Sequence, residues 1–257
     1  MEKKMNDSIY LITGASSEIG CGLIKQLIEG TDGNAEFSGK IIAHARSGSE
    51  NLIKLIKDNP SWKNYLEIIT ADLSKIPDIE NMMHLIKEKY GYPTFIVHLA
   101  ASKLELKRTS DFEWGAMDID FKIQVESIGI ILKNFLPLMS KSGKRCKVIM
   151  MLSSITLGKP PKYMTEYTTV KYALLGLFRS FASEYSGKSI NFNAVSPSMV
   201  ETQFLSNLPE KFVEMAAATH PNNKNATVDD IVPAICFLLS GEANHINGIN
   251  LPITGGS

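Results

Sequence analysis

Seven short apolar runs recur along this chain, and every interval between them holds a longer stretch in which apolar residues return every three or four positions. The runs are 9–13, 40–45, 66–71, 94–100, 147–152, 190–195 and 249–252. The helical intervals centre on 19–29, 49–58, 79–90, a long one over 112–140, 163–185, a looser one over 210–218, and 228–239. Runs without polar alternation are strands buried on both faces, and strands separated by helices return parallel. Right-handed crossovers then place helices on both sides of the sheet. The expected fold is therefore α/β, doubly wound, with a central parallel sheet of about seven strands.

A chain of 257 residues could form one large domain or two small ones. There is no internal repeat, low-complexity linker or shift in composition, so one domain spanning residues 1–257 is expected. The segment Glu201–Asn225 stands apart: it follows the sixth run, holds two prolines and ends in HPNNKNAT. It is expected to act as a lid over a ligand.

Charge excludes some function classes. The 27 basic residues balance 27 acidic ones, so no long-range field favours nucleic acid or an anionic membrane. No stretch approaches the roughly 20 apolar residues of a membrane span. The opening MEKKMNDSIYLIT has no apolar run before the first strand and is not expected to be a secretory signal. The basic run Lys141–Lys147 is expected to be a solvated turn. Cys21, Cys146 and Cys236 are few, odd in number and far apart, with no metal-ligand spacing, so they are expected to be core residues in a reducing, cytoplasmic compartment, with no metal site.

Two constellations carry chemistry. The first run leads directly into TGASSEIG, from Thr13 to Gly20, and then into a helix. A glycine-bearing turn at a helix N-terminus presents free N–H groups and the positive end of the helix dipole to a phosphate. The second is Ser154, Tyr167 and Lys171. Tyr167 and Lys171 stand four apart and share one helix face. A tyrosine with a pKa of about 10 is a poor acid or base at neutral pH. A nearby ammonium favours the phenolate and is expected to lower that pKa. Ser154 at a strand end can bond a substrate oxygen. Ser153 fits the spacing less well, and Tyr163 has no lysine four residues on. A Tyr-x-x-x-Lys pair arises by chance about once in a chain of this composition, so the inference rests on order and spacing.

Together these motifs resemble the short-chain dehydrogenase/reductase family over nearly the whole chain, most strongly from Val148 to Thr202. The resemblance implies a Rossmann-type domain that moves hydride between a nicotinamide and a ketone or secondary alcohol. It gives Ser154 the orienting role, Tyr167 the proton, and Lys171 the tuning of Tyr167 and the ribose contacts. Counting back thirteen from Pro137 puts Gln124 in the position of a relay asparagine. Cofactor contacts are implied at Gly14, Ser16, Ser17, Ile19, Arg46, Ser47, Asp72, Leu73, Ala100, Lys171, Pro197, Val200 and Thr202. Ala45 occupies the position of the usual ribose-binding acid and Arg46 follows it, which implies NADP(H). Asp72 would bond adenine or else simply begin a turn.

The chain departs from the family pattern at four places. Glu18 replaces the middle glycine of the turn and is expected to face solvent at the helix N-terminus. His98-Leu99 replaces two asparagines, Gln124 replaces an asparagine, and Ser198 replaces a glycine. The resemblance also implies a 3-oxoacyl thioester or related intermediate, free or carrier-bound, as substrate. It implies a homodimer or homotetramer built through the helices over 112–140 and 163–185. Two other readings stay open: a nucleotide-binding scaffold with little turnover, suggested by the departures, and a nucleotide-sugar epimerase or dehydratase, suggested by HLAA at 98–101.

Overall fold

The structure, a computed structural model, describes residues 8–30 and 37–257. The reading of the chain's opening as no secretory signal falls largely on residues 1–7, outside the described residues.

The strands are β1 (Ser8–Thr13), β2 (Gly39–Ala45), β3 (Leu66–Thr70), β4 (Phe95–His98), β5 (Cys146–Met151), β6 (Ile190–Pro197) and β7 (Asn250–Ile253). They form a seven-stranded sheet in the order β3-β2-β1-β4-β5-β6-β7, every pairing parallel. The helices are α1 (Glu18–Glu29), α2 (Glu50–Asp58), α3 (Ile76–Tyr90), α4 (Trp114–Phe121), α5 (Ser127–Lys141), α6 (Thr165–Glu184), α7 (Glu210–Thr219) and α8 (Val228–Leu239). The expected fold class is borne out.

Adjacent residues of each central strand feed opposite cores, because side chains alternate across a sheet. Leu11, Ile42, Ile96 and Val148 pack with α3, α5 and α6 on one face. Ile12, Ile41, Val97 and Ile149 pack with α1, α2 and α8 on the other. Both faces are therefore dry, which is why the runs read as continuously apolar. Phe135 of α5 is fully buried, and truncating it to alanine would cost about 3–5 kcal/mol.

The long helix expected over 112–140 is interrupted. Between α4 and α5 lies a π-helical turn, Lys122–Glu126. Its Gln124 carbonyl accepts a hydrogen bond from His98 Nε2 at 3.0 Å, and Ser127 Oγ donates to the Ile123 carbonyl at 2.6 Å. Side chains that claim ladder carbonyls widen a helix locally, and such turns concentrate at functional sites.

The basic run over 141–147 is only partly a solvated turn. Lys147 lies inside β5 and is buried, with Nζ donating to the Leu238 carbonyl at 3.2 Å and to the Ser240 carbonyl. It satisfies carbonyls at the C-terminal end of α8, where a cation is favoured. The three cysteines are free; Cys146 is buried and Cys21 and Cys236 half-buried, and loss of water pushes Cys21 up to about 11 and Cys236 up to about 12, which disfavours their thiolates. Among the described residues no helix is long and apolar enough to cross a membrane.

Candidate active site

The strand order reverses between β1 and β4, and ligands of doubly wound sheets bind where it does, beyond the strand C-termini. The residues singled out in the sequence fall along that edge. Gly14 follows β1, Arg46 and Ser47 follow β2, Asp72 and Leu73 follow β3, and Ala100 lies just past β4. Ser153 and Ser154 follow β5, and Pro197 closes β6.

The turn after β1 requires its glycines. Gly14 has φ of 69°, and a Cβ there would sit 2.8 Å from the Ala100 backbone. A Cβ on Gly20 would sit 2.5 Å from the Ala15 carbonyl. Ser17 caps α1: its Oγ accepts the Gly20 N–H at 3.1 Å and donates to the Gly14 carbonyl at 2.8 Å. The Ser16 carbonyl accepts from Asn51 of α2 at 2.9 Å, and Ile19 continues the first turn of α1. His44, which the sequence did not flag, braces the turn from β2. Its Nε2 donates to the Ala71 carbonyl at 2.9 Å, leaving Nδ1 to accept the Gly14 N–H at 3.3 Å. The cradle has the close backbone approach that a dinucleotide pyrophosphate needs, and it fits that group.

Glu18 is half-exposed at the start of α1 and also makes a contact that the sequence did not show. Its Oε1 accepts the backbone N–H of Gln203 at 2.8 Å, tying the turn to the segment after β6. That segment is closed at its base by a parallel bridge between Val200 and Ala226. Thr202 Oγ1 donates to the Val200 carbonyl at 3.4 Å. Ser198 Oγ is buried without a partner.

Arg46 and Ser47 are exposed, and among the described residues Arg46 has no hydrogen-bond or ion-pair partner. Asp72 does begin a turn. Its Oδ1 accepts the Ser74 N–H at 3.0 Å and the Ser74 hydroxyl at 2.7 Å, and these bonds hold its pKa below the usual range. Leu73 is buried in the core.

Of Ser154, Tyr167 and Lys171, the last two are brought together. Tyr167 lies in the first turn of α6 and Lys171 one turn later, with Nζ 5.6 Å from the centre of the phenol ring. Lys171 is 3% exposed, and its Nζ donates to the Met151 carbonyl at 2.9 Å, which pins it to the end of β5. Ser153 lies close enough to the Tyr167 phenol to favour its ionised form, and its Oγ accepts the Ile155 N–H at 3.4 Å, while Ser154 opens a single helical turn, Ser154–Thr156.

In the protein without cofactor the Tyr167 phenol lies above its ordinary range. Burial pushes it up to about 12, a shift that the Ser153 hydroxyl opposes and the Asp120 carboxylate reinforces. Burial likewise pushes Lys171 down to about 8, opposed by Asp120. Lys171 is buried and Tyr167 half-buried, and loss of water is the largest influence on both. Asp120 was missed because only the fold shows that α4 faces this pair.

Gln124 is fully buried in the π-helical turn. Its amide nitrogen donates to Asp120 Oδ2 at 2.8 Å, and its Oε1 is buried without a partner. Among the described residues no hydrogen bond joins it to Lys171, so its direct contact is with Asp120. His98 is spent on structure. Nε2 donates to the Gln124 carbonyl, so Nδ1 is bare and accepts the Thr13 hydroxyl at 2.7 Å. Burial pushes its pKa down to about 3, and it stays neutral.

Above Tyr167 lies a small apolar cluster of Leu104, Ile155, Met164, Leu205 and Leu208. Phe204 stands 6.1 Å from the Tyr167 ring, and its carbonyl accepts the Leu104 N–H at 3.1 Å. At the rim Lys107 pairs with Glu166 at 3.1 Å.

A model of a family described as enoyl-(acyl carrier protein) reductase matches residues 40–257, most of the chain. The chain belongs to the short-chain dehydrogenase/reductase family. It is an oxidoreductase of that type. Curated relatives include the 3-oxoacyl-[acyl-carrier-protein] reductase of Thermotoga maritima, 26% identical over 257 residues and 98% of each chain. The enzyme of the same name from Salmonella typhimurium is 29% identical over 254 residues and 96% of each. Among solved structures, levodione reductase superposes with a TM-score of 0.86 at 22% identity, covering 98% of both chains. ElxO with NADP bound (97% of this chain, 98% of that one) and a 3-ketoacyl-(acyl-carrier-protein) reductase from Brucella melitensis complexed with NADH (98% and 99%) each give 0.83 at 21% identity. These structural likenesses establish the fold.

Proposed function

We propose that the protein transfers hydride between NADP(H) and a ketone or secondary alcohol. The observation that carries this reading is the meeting of Tyr167 and a buried, anchored Lys171 at the sheet edge where the strand order reverses. Bound nicotinamide supplies or takes the hydride. The chain's own residues do the rest. Ser154 orients the carbonyl, with Ser153 steadying the phenol. Tyr167 gives its proton to the oxygen during reduction or takes it back during oxidation. Lys171 supplies the adjacent positive charge and holds the ribose.

Gly14, Ser16, Ser17 and Ile19 would cradle the pyrophosphate. Asp72, Leu73 and Ala100 would border the adenosine half, and Pro197, Val200 and Thr202 the nicotinamide. The exposed, unpartnered guanidinium of Arg46 suits a 2′-phosphate and supports NADP(H), with Ser47 beside it. The segment Glu201–Asn225 acts as the lid of a single domain. Its leucines, with Leu104, Ile155 and Met164, favour a substrate with an apolar arm. A 3-oxoacyl thioester, free or carrier-bound, has such an arm and agrees with the names of the relatives. Assembly into a homodimer or homotetramer is supported by exposed Trp114, Ile119 and Phe121 on α4 and Tyr172 on α6. Unpaired cysteines suit the cytoplasm.

The intact trio weighs against a scaffold with little turnover, and the neutral, structurally occupied His98 weighs against an epimerase or dehydratase. Incubation with NADPH and a panel of apolar ketones and 3-oxoacyl thioesters tests the reading: consumption of NADPH with formation of the alcohol is expected, and its absence across the panel would overturn it.

A further inference from the structure

Asp120 has no part in the reading above, yet it is built into the site. It stands in the last turn of α4 and is held from two directions. Oδ1 accepts the backbone N–H of Ser102, just beyond β4, at 3.2 Å. Oδ2 accepts the amide of the fully buried Gln124 at 2.8 Å. The π-helical turn that carries Gln124 is itself pinned by His98 through the Gln124 carbonyl. The chain thus spends a buried glutamine, a buried histidine and an irregular helical turn around one carboxylate.

The helix α4 that carries Asp120 and the π-helical turn that carries Gln124 both pack against α6, which carries Tyr167 and Lys171. Among the described residues Lys171 has Tyr167 on its own helix, the neutral His98 of β4, the Met151 carbonyl of β5 and Asp120 of α4 around it. Asp120 is the anion among them, and it acts on both members of the pair, favouring the proton on Lys171 and on Tyr167 alike.

We propose that Asp120 is a positioning residue, the counter-ion that keeps the Tyr167–Lys171 pair in its fully protonated form and biases the site towards donating a proton, hence towards carbonyl reduction. This rests on the oxidoreductase reading given above. Two groups this close titrate as a unit. Removing a nearby negative charge lowers the pH at which the pair sheds its first proton, whichever residue loses it. Reduction needs the loaded pair, so its alkaline limb moves to lower pH. Oxidation needs a pair that can accept a proton, so its acid limb moves the same way.

The test compares wild type with Asp120→Asn and Asp120→Glu as full-length proteins, with folding checked by circular dichroism. One arm records kcat against pH in both directions, using the first ketone–alcohol pair from an apolar panel that wild type turns over. The other follows the Lys171 Nζ resonance by 1H–15N NMR against pH, assigned by its loss in Lys171→Arg, and needs no turnover. For Asp120→Asn both limbs are expected to fall by about half to one pH unit. Oxidation then gains about threefold to tenfold on reduction at pH 7. The Lys171 titration falls with them, and Asp120→Glu restores part of each shift. Unmoved limbs and an unmoved Lys171 titration in folded Asp120→Asn overturn the proposal. If wild type turns over no pair in the panel, the oxidoreductase reading fails separately, and the Lys171 titration still decides whether Asp120 is the counter-ion.

Discussion

Glu18 and Gln203 meet across 185 positions of sequence, the carboxylate accepting the backbone N–H at 2.8 Å. One residue opens the helix of the pyrophosphate cradle and the other begins the one-turn helix Gln203–Leu205 of the lid segment. Glu18 therefore ties the turn before α1 to the segment after β6, and under the proposed function it sets a negative charge beside the cofactor phosphates. The substitution Glu18→Gln keeps an acceptor and removes the charge. NADPH binding, followed by fluorescence at low salt, is expected to tighten about threefold to tenfold, with the gain shrinking as salt rises. Weaker binding in the variant would show that the carboxylate supports docking.

Under the proposed function, the exposed guanidinium of Arg46 would distinguish NADPH from NADH by pairing with the 2′-phosphate. Charge-assisted bonds contribute about 1.5–3 kcal/mol. Arg46→Ala should thus weaken NADPH binding about tenfold to a hundredfold and leave NADH nearly unchanged. Equal losses for both cofactors would remove the assignment.

Spacing favours Ser154 as the residue that orients the substrate, whereas Ser153 is the serine that influences the Tyr167 phenol. Ser154→Ala is expected to lower kcat about a hundredfold, and Ser153→Ala only about threefold to tenfold, in line with the loss of one positioned hydrogen bond each at sites of different consequence. The opposite order in measured kcat would move the orienting role to Ser153.

Burial makes Lys171 costly to the fold. Its folded pKa of about 8 lies below its ordinary 10.5, so the folded state binds its proton less tightly than the unfolded chain. The penalty is full below pH 8 and fades as pH rises from about 8 towards 10.5. Its upper bound is about 3 kcal/mol, reduced by the bond to the Met151 carbonyl. Lys171→Met is therefore expected to abolish turnover and yet raise the melting temperature at pH 7 by a few degrees, with the difference from wild type closing above pH 8. A lower melting temperature at pH 7 would contradict this balance.

The sheet was legible because its strands are buried on both faces: apolar runs such as Val148–Met151 leave little room for another element. The trio was legible because Tyr167 and Lys171 lie one turn apart on a single helix, where spacing fixes geometry. What the sequence hid depends on tertiary approach. The partner of Glu18 lies on another element, and no local pattern announces Asp120, His44 or a buried Lys147. The π-helical turn at Gln124 was hidden too, since the side chains that stabilise it, His98 and Ser127, claim its carbonyls from another strand and from the following helix. The phenol's burial is hidden for the same reason: spacing reveals the ammonium but not the loss of water around Tyr167.

The central claim is that Tyr167 moves the proton. The direct measurement is NADPH consumption by wild type and Tyr167→Phe against the same ketone panel, with NADPH affinity recorded for both. The account predicts at least a thousandfold loss of kcat with affinity changed less than threefold, as expected when an acid–base group is removed and the fold is kept. Turnover by Tyr167→Phe equal to wild type would contradict it.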